Sequence, residues 1–98
     1  MTLSFHLSDK ATDQISRASA WYALQSPASA VRFIRSIEAS FAAIRTFPRG
    51  HAIIRGTLRQ APMQEFPYVI MYEVTRKRIV ILRVVHGRRH PRHRLHGQ

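Results

Sequence analysis

A single arginine, Arg83, interrupts the apolar run Ile79-Val80-Ile81-Leu82-Arg83-Val84-Val85, and the run ends in His86-Gly87-Arg88-Arg89. Histidine titrates near neutrality and can give or take a proton. Arginine stays charged and holds planar anions through paired N–H groups. Arg55 and Arg59, bracketing Gly56-Thr57-Leu58, add two cations upstream. A charge within a sheet is costly unless something pairs with it, so these residues place a basic functional surface on the edge or face of a small sheet. Arg83 has two readings: a group on the face away from any helices, or a structural partner of Glu65 or Glu73. His86 likewise reads as an acid or base, or as a hydrogen bond that closes the sheet against helices. Glu65, the acid nearest Arg59 in sequence, could form a structural ion pair or serve as a carboxylate with chemistry of its own.

The rest of the composition points the same way. Sixteen Lys+Arg against five Asp+Glu give a formal charge of +11 over 98 residues. Only Lys10 and Lys77 are lysine, and no acid occurs from Val74 to Gln98. Such a field attracts nucleic acid, an acidic protein, or both. The length fits one domain, 1–98, with residues 90–98 expected as a mobile basic tail. The absence of cysteine excludes a disulfide framework and a thiolate zinc site. His90, His93 and His96 recur every third residue, but a Pro-interrupted tail makes a poor metal site, and no metal or cofactor is expected. The N-terminus has no apolar stretch suited to a signal peptide or a membrane span, so the expected location is the cytoplasm, with no membrane partner.

The pattern of apolar residues predicts the elements that must hold these groups. Leu3, Phe5 and Leu7 alternate as a first strand. Ser8 and Asp9 cap a helix over about 9–25, with Ala11, Ile15, Ala18 and Tyr22 on its inner stripe; Trp21 beside it is expected in the core or at the helix pair. Ser26-Pro27 stops that helix and starts another, whose stripe is Ala30, Phe33, Ile34, Ile37, Phe41 and Ile44, ending near Phe47-Pro48. So tight a link predicts an antiparallel helical hairpin. Arg32, Arg35, Glu38 and Arg45 lie off the stripe and are expected in solvent.

After the Pro48-Arg49-Gly50 loop, Ile53-Ile54-Arg55 and Thr57-Leu58-Arg59 read as strand pieces, with Gly56 as a bulge and Pro62 as a limit. Two firm strands follow, around Phe66–Val74 and Ile79–Val85, joined by Arg76-Lys77-Arg78. That turn lacks the Gly or Asn of a tight two-residue hairpin. Both strands are apolar on two faces, as for a sheet covered on both sides. Tyr68 and Tyr72 share one face and read as packing residues. Strict alternation puts Val80, Leu82, Val84 and His86 on one face and Ile79, Ile81, Arg83 and Val85 on the other.

Strand, helical hairpin and antiparallel sheet, in that order, come with Pro27-Ala28-Ser29-Ala30-Val31-Arg32-Phe33-Ile34, Phe47-Pro48-Arg49-Gly50, Phe66-Pro67-Tyr68-Val69-Ile70-Met71-Tyr72 and Ile81-Leu82-Arg83-Val84-Val85-His86-Gly87-Arg88-Arg89. Over about residues 3 to 91 the chain resembles the RelE/ParE toxins of type II toxin–antitoxin systems. The resemblance implies an α+β fold, with an N-terminal strand and an antiparallel helical hairpin on a small twisted antiparallel sheet. It also implies neutralisation by a cognate antitoxin, with operator DNA bound only through the toxin–antitoxin complex. The ParE branch poisons DNA gyrase and is not a ribonuclease; the Arg55–Arg59 segment and the His-Gly-Arg-Arg ending look more like this branch. Arg55, Arg59, Arg83, Arg88 and Arg89 would then contact the target or nucleic acid.

The RelE branch instead cleaves messenger RNA on the ribosome, which needs a base, a proton donor and a cation around one phosphodiester. Arg59, Arg83 and His86 are the candidates for those roles. The chain lacks lysine between Ala11 and Arg76 and tyrosine after Tyr72, both common in RelE-type enzymes. A basic nucleic-acid-binding module without toxicity is the remaining alternative. An enzymatic role is therefore left open, with a non-enzymatic gyrase inhibitor favoured.

Overall fold

The computed structural model describes residues 3–89. Strand β1 (Ser4–Leu7) leads into helices α1 (Asp9–Gln25) and α2 (Pro27–Thr46). Four strands follow: β2 (Ala52–Arg55), β3 (Leu58–Pro62), β4 (Tyr68–Val74) and β5 (Arg78–His86), with a closing 3₁₀ turn at Gly87–Arg89. The sheet order is β1-β5-β4-β3-β2. Strands β2 to β5 pair antiparallel as expected. Strand β1 joins β5 in parallel, so the sheet is mixed. A parallel partner is possible because the whole helical hairpin separates the two strands and supplies the crossover. His90 and the rest of the basic tail lie outside the described residues.

The helix boundaries follow from their caps. The Ser8 hydroxyl accepts from the Ala11 N–H at 3.0 Å, and the Ser26 hydroxyl accepts from the Ser29 N–H at 3.0 Å, each satisfying an otherwise orphaned donor. Pro27 occupies the first turn of α2, where its missing N–H costs nothing. Ala11 and Ala18 of α1 are buried, and their small side chains admit close packing. In α2 the buried residues are Phe33, Ser36, Ile37 and Ile44. Ile34, expected on the stripe, is 36% exposed; the inner face runs through Ser36 rather than through it. The Ser36 hydroxyl donates to the Gln64 carbonyl at 2.6 Å and ties the β3–β4 loop to the helix.

One face of the sheet packs on the hairpin. Ile70, Tyr72 and Val74 of β4 and Ile79, Ile81 and Val84 of β5 are buried there with Phe33, Ile37 and Ile44. The alternation expected along β5 does not hold, because the pairing passes from Tyr72↔Ile81 to Met71↔Arg83. Leu82 is the extra residue of a β-bulge, and a bulge reverses the sense of every later side chain. Ile79 and Ile81 therefore share the helix face with Val84 and His86, while Arg83 and Val85 join Val80 on the other. That second face, with Leu58, Val69 and Met71 partly buried, is covered by no element among the described residues. Among the described residues, the two-sided apolar character of β4 and β5 is matched by no second covering layer.

Two connections differ from their sequence signals. Gly56 is in the β2–β3 turn with φ of 56°, not a bulge; the irregularity falls between Ile53 and Arg55. The β4–β5 turn closes without glycine because the Thr75 hydroxyl accepts from the N–H groups of Lys77 and Arg78. This side-chain substitute for a backbone acceptor is what Ser and Thr offer in turns.

Candidate functional site: a basic aromatic groove and a stapled corner

Strand β1 ends at Leu7, opposite Ile81, so the distal half of β5 has no strand beside it. Helix α1 takes that place. The Ser8 N–H donates to the Ile81 carbonyl, and the Ser8 hydroxyl to the Leu82 carbonyl at 2.8 Å. The Gln14 side-chain oxygen accepts from the Val84 N–H at 2.7 Å. These side chains satisfy backbone groups that a neighbouring strand would otherwise pair. Further along α1, toward Trp21, helix and strand part into a groove walled by Trp21, Tyr22, Tyr68 and Val85, with Arg17, His86 and Arg88 at its polar rim.

The groove floor is an aromatic cluster. Tyr22 stacks on Phe33 with centroids 5.2 Å apart and meets Phe66 edge-on at 5.0 Å. Trp21 meets Tyr22 edge-on at 5.0 Å, yet it remains 55% exposed. Its expected place in the core is thus corrected: it stands at the groove wall, because the buried stripe runs through Ala18 and Tyr22 and position 21 lies to one side of it. His86 packs on Tyr68 at 5.4 Å. Its Nδ1 accepts from the Arg88 N–H at 3.2 Å. The Gly87 N–H donates to the Pro67 carbonyl at 2.7 Å. His86 therefore shapes the turn that presents Arg88. Among the described residues no acid lines the groove; Arg17 at its rim pairs with Asp13, one turn earlier on α1, at 2.8 Å.

A second basic cluster lies across the sheet, at the α2–β2 corner. Arg59 pairs with Tyr72 on the helix face. Its Nη1 donates to the carbonyls of Arg49 and His51, at 3.0 and 2.8 Å. The Tyr72 hydroxyl donates to the Pro48 carbonyl at 2.7 Å, and Arg49 Nη2 donates to the Thr75 carbonyl at 3.1 Å. The carbonyls of the 48–51 loop thus receive charge-assisted hydrogen bonds from Arg59 and a third from the Tyr72 hydroxyl. Glu65 is not the partner of Arg59; it approaches Arg32 at 3.9 Å, from a left-handed backbone with φ of 71°.

Burial pushes the Tyr72 hydroxyl above its ordinary range, and the nearby Arg59 charge opposes that shift in part. The folded state therefore holds this proton more tightly than the unfolded chain does. The associated stability is fully present below the ordinary tyrosine range, near 10, and is lost as pH rises through the folded-state value. Replacing Tyr72 by Phe should remove that alkaline decline and cost about 1–2 kcal/mol at neutral pH, because the Pro48 carbonyl loses its donor. Urea denaturation at pH 7 and pH 10.5 checks both effects; equal pH dependence in the two proteins would refute the assignment.

The groups singled out by sequence do not converge. Arg83 is exposed on the open sheet face, opposite Met71. His86 is on the helix face, opposite Tyr68. Arg59 is on the helix face too, but opposite Tyr72 and spent on the corner carbonyls. Arg55 is exposed at the end of the edge strand, and Arg88 is exposed at the groove rim. Arg89 closes the 3₁₀ turn. Trp21 and Gln14, which sequence reasoning did not assign to a site, line the groove; only the pairing of α1 with the uncovered edge of β5 reveals them. Among the described residues, no group of three or more His, Asp or Glu could hold a metal ion, and no helix is long and apolar enough to cross a membrane.

The family model for the ParE toxin of type II toxin–antitoxin systems, parDE, matches residues 5–91. The chain belongs to that family, and membership implies an antitoxin partner. A solved chain from the chromosomal ParDE TA system of P. aeruginosa is similar in fold, with a TM-score of 0.76 at 18% identity, covering 87% of this chain and 96% of that one. No curated protein matches the chain in sequence.

Proposed function

We propose that this toxin acts in the cytoplasm by inhibiting DNA gyrase, and that a cognate antitoxin silences it by laying an acidic, partly apolar segment in the groove beside α1. The observation that carries the gyrase reading is the separation of Arg83, His86 and Arg59 onto different faces or ends of the sheet. Cleavage of a phosphodiester needs a base, a proton donor and a cation around one phosphate, whereas inhibition by binding needs only a presented surface. The antitoxin reading is supported by the exposed Trp21 between Arg17 and Arg88, an aromatic anchor in a basic rim of the kind that dominates protein interfaces. Operator DNA then enters through the antitoxin complex.

The test is direct. Purified toxin added to gyrase and relaxed plasmid should block supercoiling and trap cleaved gyrase–DNA complexes, and induction without antitoxin should arrest growth with a DNA-damage response. Rapid codon-linked messenger cleavage with intact DNA would sink this reading in favour of a ribosome-dependent endoribonuclease.

A further inference from the structure

The α2–β2 corner presents apolar surface that the groove does not account for. Phe47 ends α2 at 70% exposure, and Ile53 on β2 is 54% exposed. Beside them is a notch lined by Ala43, Phe47, Ala52 and Pro62, with His51 and Gln60 as its polar members. The notch adjoins β2, the outermost strand of the sheet. An outermost strand offers unpaired backbone donors and acceptors along one side.

The corner is also held rigid. The bonds from Arg59, Tyr72 and Arg49 to the carbonyls of residues 48, 49, 51 and 75 fix the loop from three directions. The Gly50 N–H donates to the Phe47 carbonyl at 3.0 Å, and a Cβ at Gly50 would meet the Phe47 Cβ at 3.3 Å. The turn therefore closes tightly on Phe47 while its ring stays in solvent. A large exposed ring carried on a backbone already held in place can anchor a partner without the loop having to order on binding.

The charge around the notch selects the occupant. Arg49 in the loop and Arg55 at the end of β2 are exposed, and the chain carries no acid between Glu38 and Glu65. The nearest sheet carboxylate, Glu73, accepts from the Thr57 hydroxyl at 2.8 Å and lies on the open face opposite Leu58. A second copy of a chain with formal charge +11 would be repelled. Aliphatic walls and free backbone amides match a peptide better than a nucleic-acid backbone.

We propose that this corner is the target-facing surface of the toxin: an extended acidic segment of the poisoned protein runs along β2 and inserts an apolar side chain beside Phe47. The inference rests on the gyrase reading and adds the place of contact, remote from the antitoxin groove. Both Phe47 and Ile53 are exposed, so Phe47→Ser with Ile53→Ser should leave the thermal midpoint near that of the parent chain. In a supercoiling assay with intact gyrase, the double variant should need about tenfold more protein for half-inhibition, while Arg35→Ala on the outer face of α2 should match the parent. A folded double variant as potent as the parent would overturn the proposal. If the parent chain itself fails to inhibit gyrase, the gyrase reading falls, and growth arrest on induction decides the surface: lost arrest in the double variant upholds it, full arrest overturns it. Unchanged gyrase inhibition with lost binding of a fluorescent single-stranded oligonucleotide would overturn the protein occupant.

Discussion

Phe33→Ala should destabilise the toxin by about 3–5 kcal/mol, the range for truncating a buried aromatic ring. The ring is fully buried and touches three others, Tyr22 at 5.2 Å, Phe66 at 5.3 Å and Tyr68 at 5.5 Å. It joins both helices to the β3–β4 loop, so the cavity left behind cannot collapse by moving one side chain. Edge-to-face pairs add about 0.5–1.5 kcal/mol each beyond burial. Native domains of this size have only about 5–15 kcal/mol to lose, and each kcal/mol shifts the midpoint by about 4–8 °C. Calorimetry should therefore show a fall of more than about 10 °C. A drop of only a degree or two would mean that the cluster is not the keystone of the core.

Trp21→Ala has the opposite profile: a small effect on folding and a large one on antitoxin binding. More than half of the indole is already in solvent, and its principal contact is the edge of Tyr22. Docking a partner in the groove would bury it between Arg17 and Arg88. Losing a central aromatic anchor typically costs about 2 kcal/mol or more, which is roughly a thirtyfold rise in Kd. Titration calorimetry with the cognate antitoxin reads this directly. Arg88→Glu should weaken the same complex further at low salt than at high salt, since exposed charges are screened. An antitoxin complex indifferent to both changes would place the inhibitor on another surface.

Much of the architecture was legible because it depends on local rules. Ser8 and Ser26 mark the helix starts, as their side-chain oxygens can reach the next free N–H groups. The spacing of Phe33, Ile37 and Ile44 sets the buried face of α2. What alternation could not show is the bulge at Leu82, since an inserted residue leaves no compositional mark when both neighbours are apolar. Arg59 was legible as a cation but not as a clamp on the corner, because its acceptors are backbone carbonyls, which every residue has.

The sequence by itself determined the hairpin, the four antiparallel strands and the basic charge of this toxin, because periodicity, caps and ionisable groups act within a few residues or sum over the whole chain. Only the tertiary structure decided which faces those groups occupy. Where β1 stops, where β5 bulges and which carbonyls the arginines reach all depend on contacts between residues far apart in the chain. Those contacts put Ile79 and Ile81 on the face of His86 rather than that of Arg83, and left Trp21 and Phe47 on two different surfaces.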